Sequence, residues 1–160
     1  MRFFRAEEYQ PLARETYDRI AVRLRQLMPE AVIEHIGSSA IQGASSKGDL
    51  DIYVGVDRNE FPEAIAAIES LGFSIKQGTL RNDELCPFES HQDERLDVGL
   101  QLVARGSRFE FFLRFRDLMN ADPSLRERYN LLKRESEALD EYSYRSRKSD
   151  FIKSLLGEDE

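Results

Sequence analysis

The chain has 160 residues, one cysteine, 41% hydrophobic and 33% charged residues, and a formal net charge of -7. That length and composition fit one soluble domain, and no apolar run approaches the roughly 20 residues of a membrane helix. The spread of Lys and Arg along an acidic chain offers no field for a long phosphate polymer, so neither long nucleic acid nor a membrane is expected as partner. A nucleotide held through a divalent cation stays admissible, because the metal neutralises phosphate and carboxylate together. The lone Cys86 suits a reducing compartment, and MRFFRAEEYQPLARE lacks the apolar stretch and cleavage site of a secretory leader, so a cytoplasmic location is expected.

In chain order, Leu12, Ile20, Leu24, Leu27 and Met28 recur at helical spacing ahead of Pro29, which predicts an amphipathic helix over 12–28. AVIEHIG predicts a strand stopping at Gly37, and LDIYVGV a more continuous apolar strand suited to a central position. NEFPEAIAAIESLGF puts Phe61, Ile65, Ile68 and Leu71 on one helical face, with Gly72 as C-terminal cap. FSIKQGT, ELCPFES and ERLDVGLQLV follow as three short strands between turn signals. In the last, Leu96, Val98, Leu100 and Leu102 face one way while Asp97, Gly99, Gln101 and Val103 face the other. The final third reads as helices: RFEFFLRFRDLMN, DPSLRERYNLLKRESEAL with Asp122 as N-cap and Pro123 at the first position, and SYRSRKSDFIKSLLG. The expected organisation is one domain over 1–160, with 108–157 as a helical C-terminal subregion.

The stretch HIGSSAIQGASSKGDLDIYVGV, residues 35 to 56, carries the chemistry. A Gly37-Ser38 turn leaving a strand for a short helix presents backbone N–H groups to an anion, and triphosphate oxygens suit it. Asp49 and Asp51 point to one face of the following strand and can converge on hard cations. Without a cation they repel: two carboxylates at about 4 Å oppose each other by roughly 4 kcal/mol at an effective dielectric near 20. Two-metal phosphoryl-type transfer uses such acids to hold one ion at the attacking hydroxyl and another at the triphosphate. Asp97, on the polar face of its alternating strand, is the candidate third carboxylate and the candidate base for an acceptor hydroxyl.

The pattern Ile36-Gly37-Ser38, ten residues, then Asp49-Leu50-Asp51-Ile52 resembles the signature of the nucleotidyltransferase superfamily that includes DNA polymerase β. More narrowly, EHIGSSAIQGASSKGDLDIYVGV together with LGF at 71–73, FRDLM at 115–119, YNLLK at 129–133 and YRSRKSDFI at 144–152 resembles the GrpB family within it. The resemblance implies the polymerase-β-like fold: an α/β domain with a small mixed sheet holding Asp49, Asp51 and Asp97 on one face, a leading helix behind it, and C-terminal helices closing a cleft. It departs from the family pattern at Gly48, where a Pro is usual, at Asp49, where an apolar residue is usual, and at Gly99 and Gln101, where a His-x-His is usual. It implies Mg²⁺- or Mn²⁺-dependent transfer of a nucleoside monophosphate from an NTP to a hydroxyl of an unknown acceptor, small molecule or protein. A non-catalytic nucleotide-binding module is the alternative, and a metal-dependent phosphohydrolase a third reading.

The same resemblance marks two Tyr/Lys pairs at helical i,i+4 spacing, Tyr129 with Lys133 and Tyr144 with Lys148. A pair of this kind lining the cleft can hold the γ-phosphate or stack a base; Lys133 is the one expected to be solvated. The candidate nucleotide-binding set is therefore Gly37, Ser38, Ser39, Lys47, Tyr144 and Lys148, and the candidate catalytic and metal set Asp49, Asp51 and Asp97. His35 is expected to shape the turn or pair with a carboxylate. Phe111, Phe112, Phe115 and Phe151 are expected in the core, with Cys86 as a small buried residue.

Overall fold

The first helix, α1 (Ala6–Leu27), begins at Ala6 and not at Leu12, because Arg5 and Glu8 close its N-terminus reciprocally. Arg5 N donates to Glu8 Oε1 at 2.9 Å and Glu8 N donates to Arg5 O at 2.9 Å, so two otherwise orphaned donors are satisfied ahead of the periodic apolar run. The remaining elements of this computed structural model, which describes residues 2–93 and 95–157, are β1 (Val32–Ile36), β2 (Asp49–Val56), α2 (Phe61–Ser70), β3 (Ser74–Ile75), β4 (Leu85–Ser90), β5 (Asp97–Ala104), α3 (Phe111–Ala121), α4 (Pro123–Ser136) and α5 (Glu141–Leu156). Asp122 caps α4 as the sequence requires, its Oδ1 accepting from Ser124 N at 2.9 Å. The strand expected over 73–79 shrinks to Ser74–Ile75, since Gly78 takes a left-handed φ of 75° and turns the chain away.

The five strands form one mixed sheet in the order β1-β2-β5-β4-β3. Only β2 and β5 run parallel; the other neighbours are antiparallel. Strand alternation then sorts the faces. Leu50, Ile52 and Val54 of β2 and Val98, Leu100 and Leu102 of β5 are buried with α1 and α2 in the main core, which includes Cys86. The opposite face carries Ile36, Tyr53, Leu85 and Val103 against Phe109, and there the C-terminal helices lie. Phe115 and Phe151 are buried with Tyr129, Ile41 and Ala44, joining the 37–48 segment to α3, α4 and α5. Phe111 and Phe112 depart from expectation: they are half-buried and line a cavity, because no described residue covers their outer side. Among the described residues no helix is long and apolar enough to cross a membrane.

Alternation sends His35 to the α1 side, where its ring stacks on Tyr17 at 4.8 Å and its Nε2 lies 2.7 Å from Ser39 Oγ. Burial, with Arg14 and Arg116 adding to it, lowers its pKa from 6.5 to about 4. The folded chain therefore binds fewer protons here than the unfolded one between those values, and stability falls as pH drops from 6.5 towards 4. Allowing for partial solvent screening, the loss is about 2 kcal/mol. Thermal melts of His35→Gln against the unchanged chain over this range check it: the difference in melting temperature should shrink or reverse as the pH falls, and a difference independent of pH would show that folding leaves the proton affinity of His35 unchanged.

Candidate active site

The turn that ends β1 is made by Gly37, whose φ of 73° only glycine adopts without strain, and it opens the short 3₁₀ turn Ser38–Ala40. One row of the sheet runs Ile36, Asp51, Gly99, Glu89, Ser74 across all five strands. Asp51 sits in that row between Ile36 and Gly99, and Gly37, just past the end of β1, also stands against its carboxylate. A Cβ placed on Gly37 would lie 2.4 Å from Asp51 Oδ2, and one on Gly99 would lie 2.8 Å from Asp51 Oδ1. The glycine at position 99 thus has a packing reason in this chain: a side chain there would displace the Asp51 carboxylate. Gly99→Ala, which keeps an ordinary backbone, is expected to cost about 1–3 kcal/mol in urea unfolding by this overpacking. Unchanged stability would mean the carboxylate has room to move aside.

The Asp51 carboxylate accepts no hydrogen bond among the described residues, and burial, then the neighbouring Asp49 charge, pushes its pKa up from 3.8 to about 6. Lys148, Lys76 and Lys47 act in the opposite sense without offsetting this. A half-buried acid with no donor, beside a second acid in the same strand face, is a site short of positive charge. Among the described residues no group of three His, Cys, Asp or Glu side chains is placed to hold a metal ion. Two carboxylates still fit Mg²⁺, an ion usually held by one or two carboxylates plus substrate phosphates and water.

Asp97 lies beside Asp49 in the parallel β2–β5 register, on the expected face. Its Oδ1, however, is 3.1 Å from His91 Nδ1 and its side chain is 71% exposed. Glu89 shares the Asp51 row, and His91 Nε2 is 3.9 Å from its Oε1, so His91 bridges the two acids. Sequence reasoning passed over Glu89, although the alternation Leu85, Pro87, Glu89 in β4 was the signal that could have found it.

On the other side of Asp51, the turn is held by the C-terminal helices. Lys133, expected in solvent, is instead 1% exposed. Its Nζ donates to Ser38 Oγ at 2.7 Å and to Ser45 O, and lies 4.1 Å from the centre of the Tyr129 ring. An amphipathic lysine stem explains the burial: the chain packs inside while the ammonium finds oxygen acceptors. Burial lowers its pKa to about 8, partly countered by Tyr129. Burial alone would raise the Tyr129 hydroxyl, but Lys133 and Lys148 outweigh it and pull it down to about 8. Lys148 is raised above the ordinary lysine value, first by Tyr129, with Tyr144, Asp51 and Asp49 adding to this against burial. It lines, with Asp51, Gly37, Tyr129 and Phe112, a pocket of about 170 Å³.

The other expected residues are distributed around this pocket. Ser39 is buried and turned to His35. Lys47 pairs with Glu141 at 2.7 Å and stands 5.6 Å from the Tyr144 ring centre, and Tyr144 is buried edge-on to Phe3. Side-chain amides brace the loop itself: Gln10 Nε2 donates to Ile41 O at 2.7 Å, Asn120 Nδ2 to Ala40 O at 2.9 Å and Asn130 Nδ2 to Gly43 O at 2.9 Å.

This sheet, with a glycine-serine turn facing an acidic strand, is the fold of the polymerase-β-like nucleotidyltransferases. The MgGTP-bound structure of the Cid1 poly(U) polymerase superposes with a TM-score of 0.53 at 16% identity, over 78% of this chain and 41% of that one. The chain thus spans about two fifths of Cid1's length. A closer likeness is the crystal structure of the conserved protein GrpB from Enterococcus faecalis, with a TM-score of 0.75, 20% identity and 97% of each chain covered. In sequence, a UPF0157 protein of Vibrio cholerae is 45% identical over 158 residues, 99% of this chain and 83% of that protein. The GrpB protein family pattern matches residues 5–158, and the chain belongs to that family.

Proposed function

We propose that the protein is a nucleotidyltransferase that moves a nucleoside monophosphate from an NTP to a hydroxyl of a second substrate. The observation that carries this is the Asp51 carboxylate, held between two glycines with no hydrogen-bond donor among the described residues and lining a pocket with Gly37 and Lys148. Support comes also from the fold shared with Cid1, whose structure was obtained with MgGTP.

In this reading Asp49 and Asp51 would hold Mg²⁺ or Mn²⁺, which when bound would neutralise the triphosphate and acidify the acceptor hydroxyl. The turn N–H groups and the Ser38 hydroxyl, positioned by Lys133, receive the β- and γ-phosphates; Gly37, Ser39 and Lys47 support that cradle. Lys148, kept protonated by its neighbours, offers charge to the transferring phosphate, and Tyr144 orders the helix that carries it. The acceptor oxygen forms a bond to the α-phosphorus as the α–β bridging bond breaks, and pyrophosphate leaves with the electron pair. The hydroxyl proton passes to a carboxylate of the Asp49/Asp51/Asp97 face.

The pairing of Asp97 with exposed His91 favours a second reading, a module that binds nucleotide without turnover. Incubation with α-labelled NTP, Mg²⁺ and a cell extract separates the two. Label on an acceptor supports transfer; saturable binding with no labelled product supports the module; and free nucleotide products would indicate hydrolysis instead.

A further inference from the structure

A larger cavity of about 350 Å³ adjoins the Asp51 pocket, and the two share Phe112, Lys148 and Ile152 as common wall. Its volume falls in the range of small-molecule sites. The floor is apolar, made by Leu85, Phe109, Phe111, Phe112 and Ile152, with the exposed Leu80 at its side. The charged residues around it are Arg108, Arg145, Lys148 and Lys153, and no Asp or Glu lines it among the described residues. In a chain of net charge -7 this is a local inversion of sign. Arg145 is engaged with Glu141 at 3.2 Å, whereas Arg108 lies 4.8 Å over the Phe109 ring and makes no ion pair with any described residue; nor does Lys153. Two half-buried phenylalanines and two cations with no ion pair among the described residues, around one concavity, complement a single ligand chemistry: a flat apolar body carrying an anionic group.

We propose that this cavity binds the second substrate, and that the substrate is a small organic anion with a ring or other flat apolar part. Arg108 and Lys153 receive its phosphate, sulfate or carboxylate, Phe111 and Phe112 receive the ring, and its hydroxyl is presented across Phe112 towards Asp51. The inference rests on the transferase reading for the word substrate. The pocket's ligand chemistry stands on the geometry alone.

Anilinonaphthalene sulfonate, a flat apolar anion, is the probe, and phenylnaphthylamine, the same rings without the sulfonate, its neutral control. Fluorescence titration of the full chain should show one sulfonate bound per molecule, about tenfold tighter than the neutral compound. Arg108→Gln combined with Lys153→Gln should weaken the sulfonate by about tenfold, leave the neutral compound unaffected, and leave Mg²⁺–NTP binding as before. Near-ultraviolet circular dichroism checks that this variant is folded, and Arg108→Lys should retain most of the sulfonate affinity. Saturating Mg²⁺–NTP should not displace the probe. Equal affinity for charged and neutral probes overturns the proposal, as does competition by NTP, which would make the cavity part of the nucleotide site. Occlusion of the probe in a dimer at higher protein concentration overturns it too. Charge-dependent probe binding in a chain that binds no NTP would retain the anion pocket and overturn its role as a substrate site.

Discussion

Asp51→Asn is expected to abolish Mg²⁺-dependent nucleotide binding and transfer, by roughly 10³-fold or more, while making the metal-free protein more stable. The two effects have one origin. The folded chain raises the Asp51 pKa from 3.8 to about 6, chiefly by burial and secondly through Asp49. A proton is therefore bound in the folded state that the unfolded state has released. The associated stability is fully present below 3.8 and is lost as pH rises through about 6. At neutral pH the ionised acid costs the fold about 2–3 kcal/mol, which a neutral asparagine of the same size does not. Melts of the two proteins across this window should diverge as pH increases, and Mg²⁺ with NTP should stabilise only the aspartate form. The His35 effect has the opposite sign over nearly the same range, so the unsubstituted chain should show little net dependence, and Asp51→Asn should unmask the histidine slope. An unfolded Asp51→Asn protein with normal nucleotide handling per folded molecule would make the carboxylate structural.

Lys133→Met should cost about 2–4 kcal/mol and weaken nucleotide binding by about 10- to 100-fold. Replacing a buried charge by an apolar group of similar volume is often harmless, so the direction depends on what the charge holds. Here the ammonium donates to Ser38 Oγ and Ser45 O, at both ends of the loop, and methionine offers neither a donor nor a counter-charge to the Tyr129 ring. Urea unfolding measures the first effect and NTP titration the second. A methionine variant as stable as the parent would mean the loop keeps its shape without the lysine, and that Lys133 is a buried stem and nothing more.

Much of the architecture was legible because alternation and periodicity report burial directly. The two faces of ERLDVGLQLV were assigned residue by residue, and β5 buries Val98, Leu100 and Leu102 while Asp97, Gly99 and Gln101 open to the other side. The spacing of Gly37-Ser38 to Asp49 and Asp51 located the turn and acidic strand, since both are local. What crosses the chain was not legible. The parallel pairing of β2 with β5 sets Gly99 beside Asp51 across 48 positions of sequence, and no local pattern encodes a glycine's neighbour in the next strand. Lys133 escapes a local reading for the same reason: a lysine on an amphipathic helix reads as solvated until the tertiary fold brings Ser38 and Ser45 to its tip. α1 starts earlier than its apolar stripe because a reciprocal Arg5–Glu8 cap depends on side-chain hydrogen bonds and not on hydrophobicity.

The bracing of residues 40–43 by Gln10, Asn120 and Asn130 has a consequence for how the chain responds to its surroundings. Neutral amides carry no net charge, so ionic strength that dissolves surface pairs such as Lys47–Glu141 leaves these three struts intact. The loop is accordingly held in shape without a ligand, and in the proposed reading phosphate binding there would demand little rearrangement. Loss of the Asn120 amide in α3 or the Asn130 amide in α4 would be felt 80 or 87 positions away, at Ala40 and Gly43.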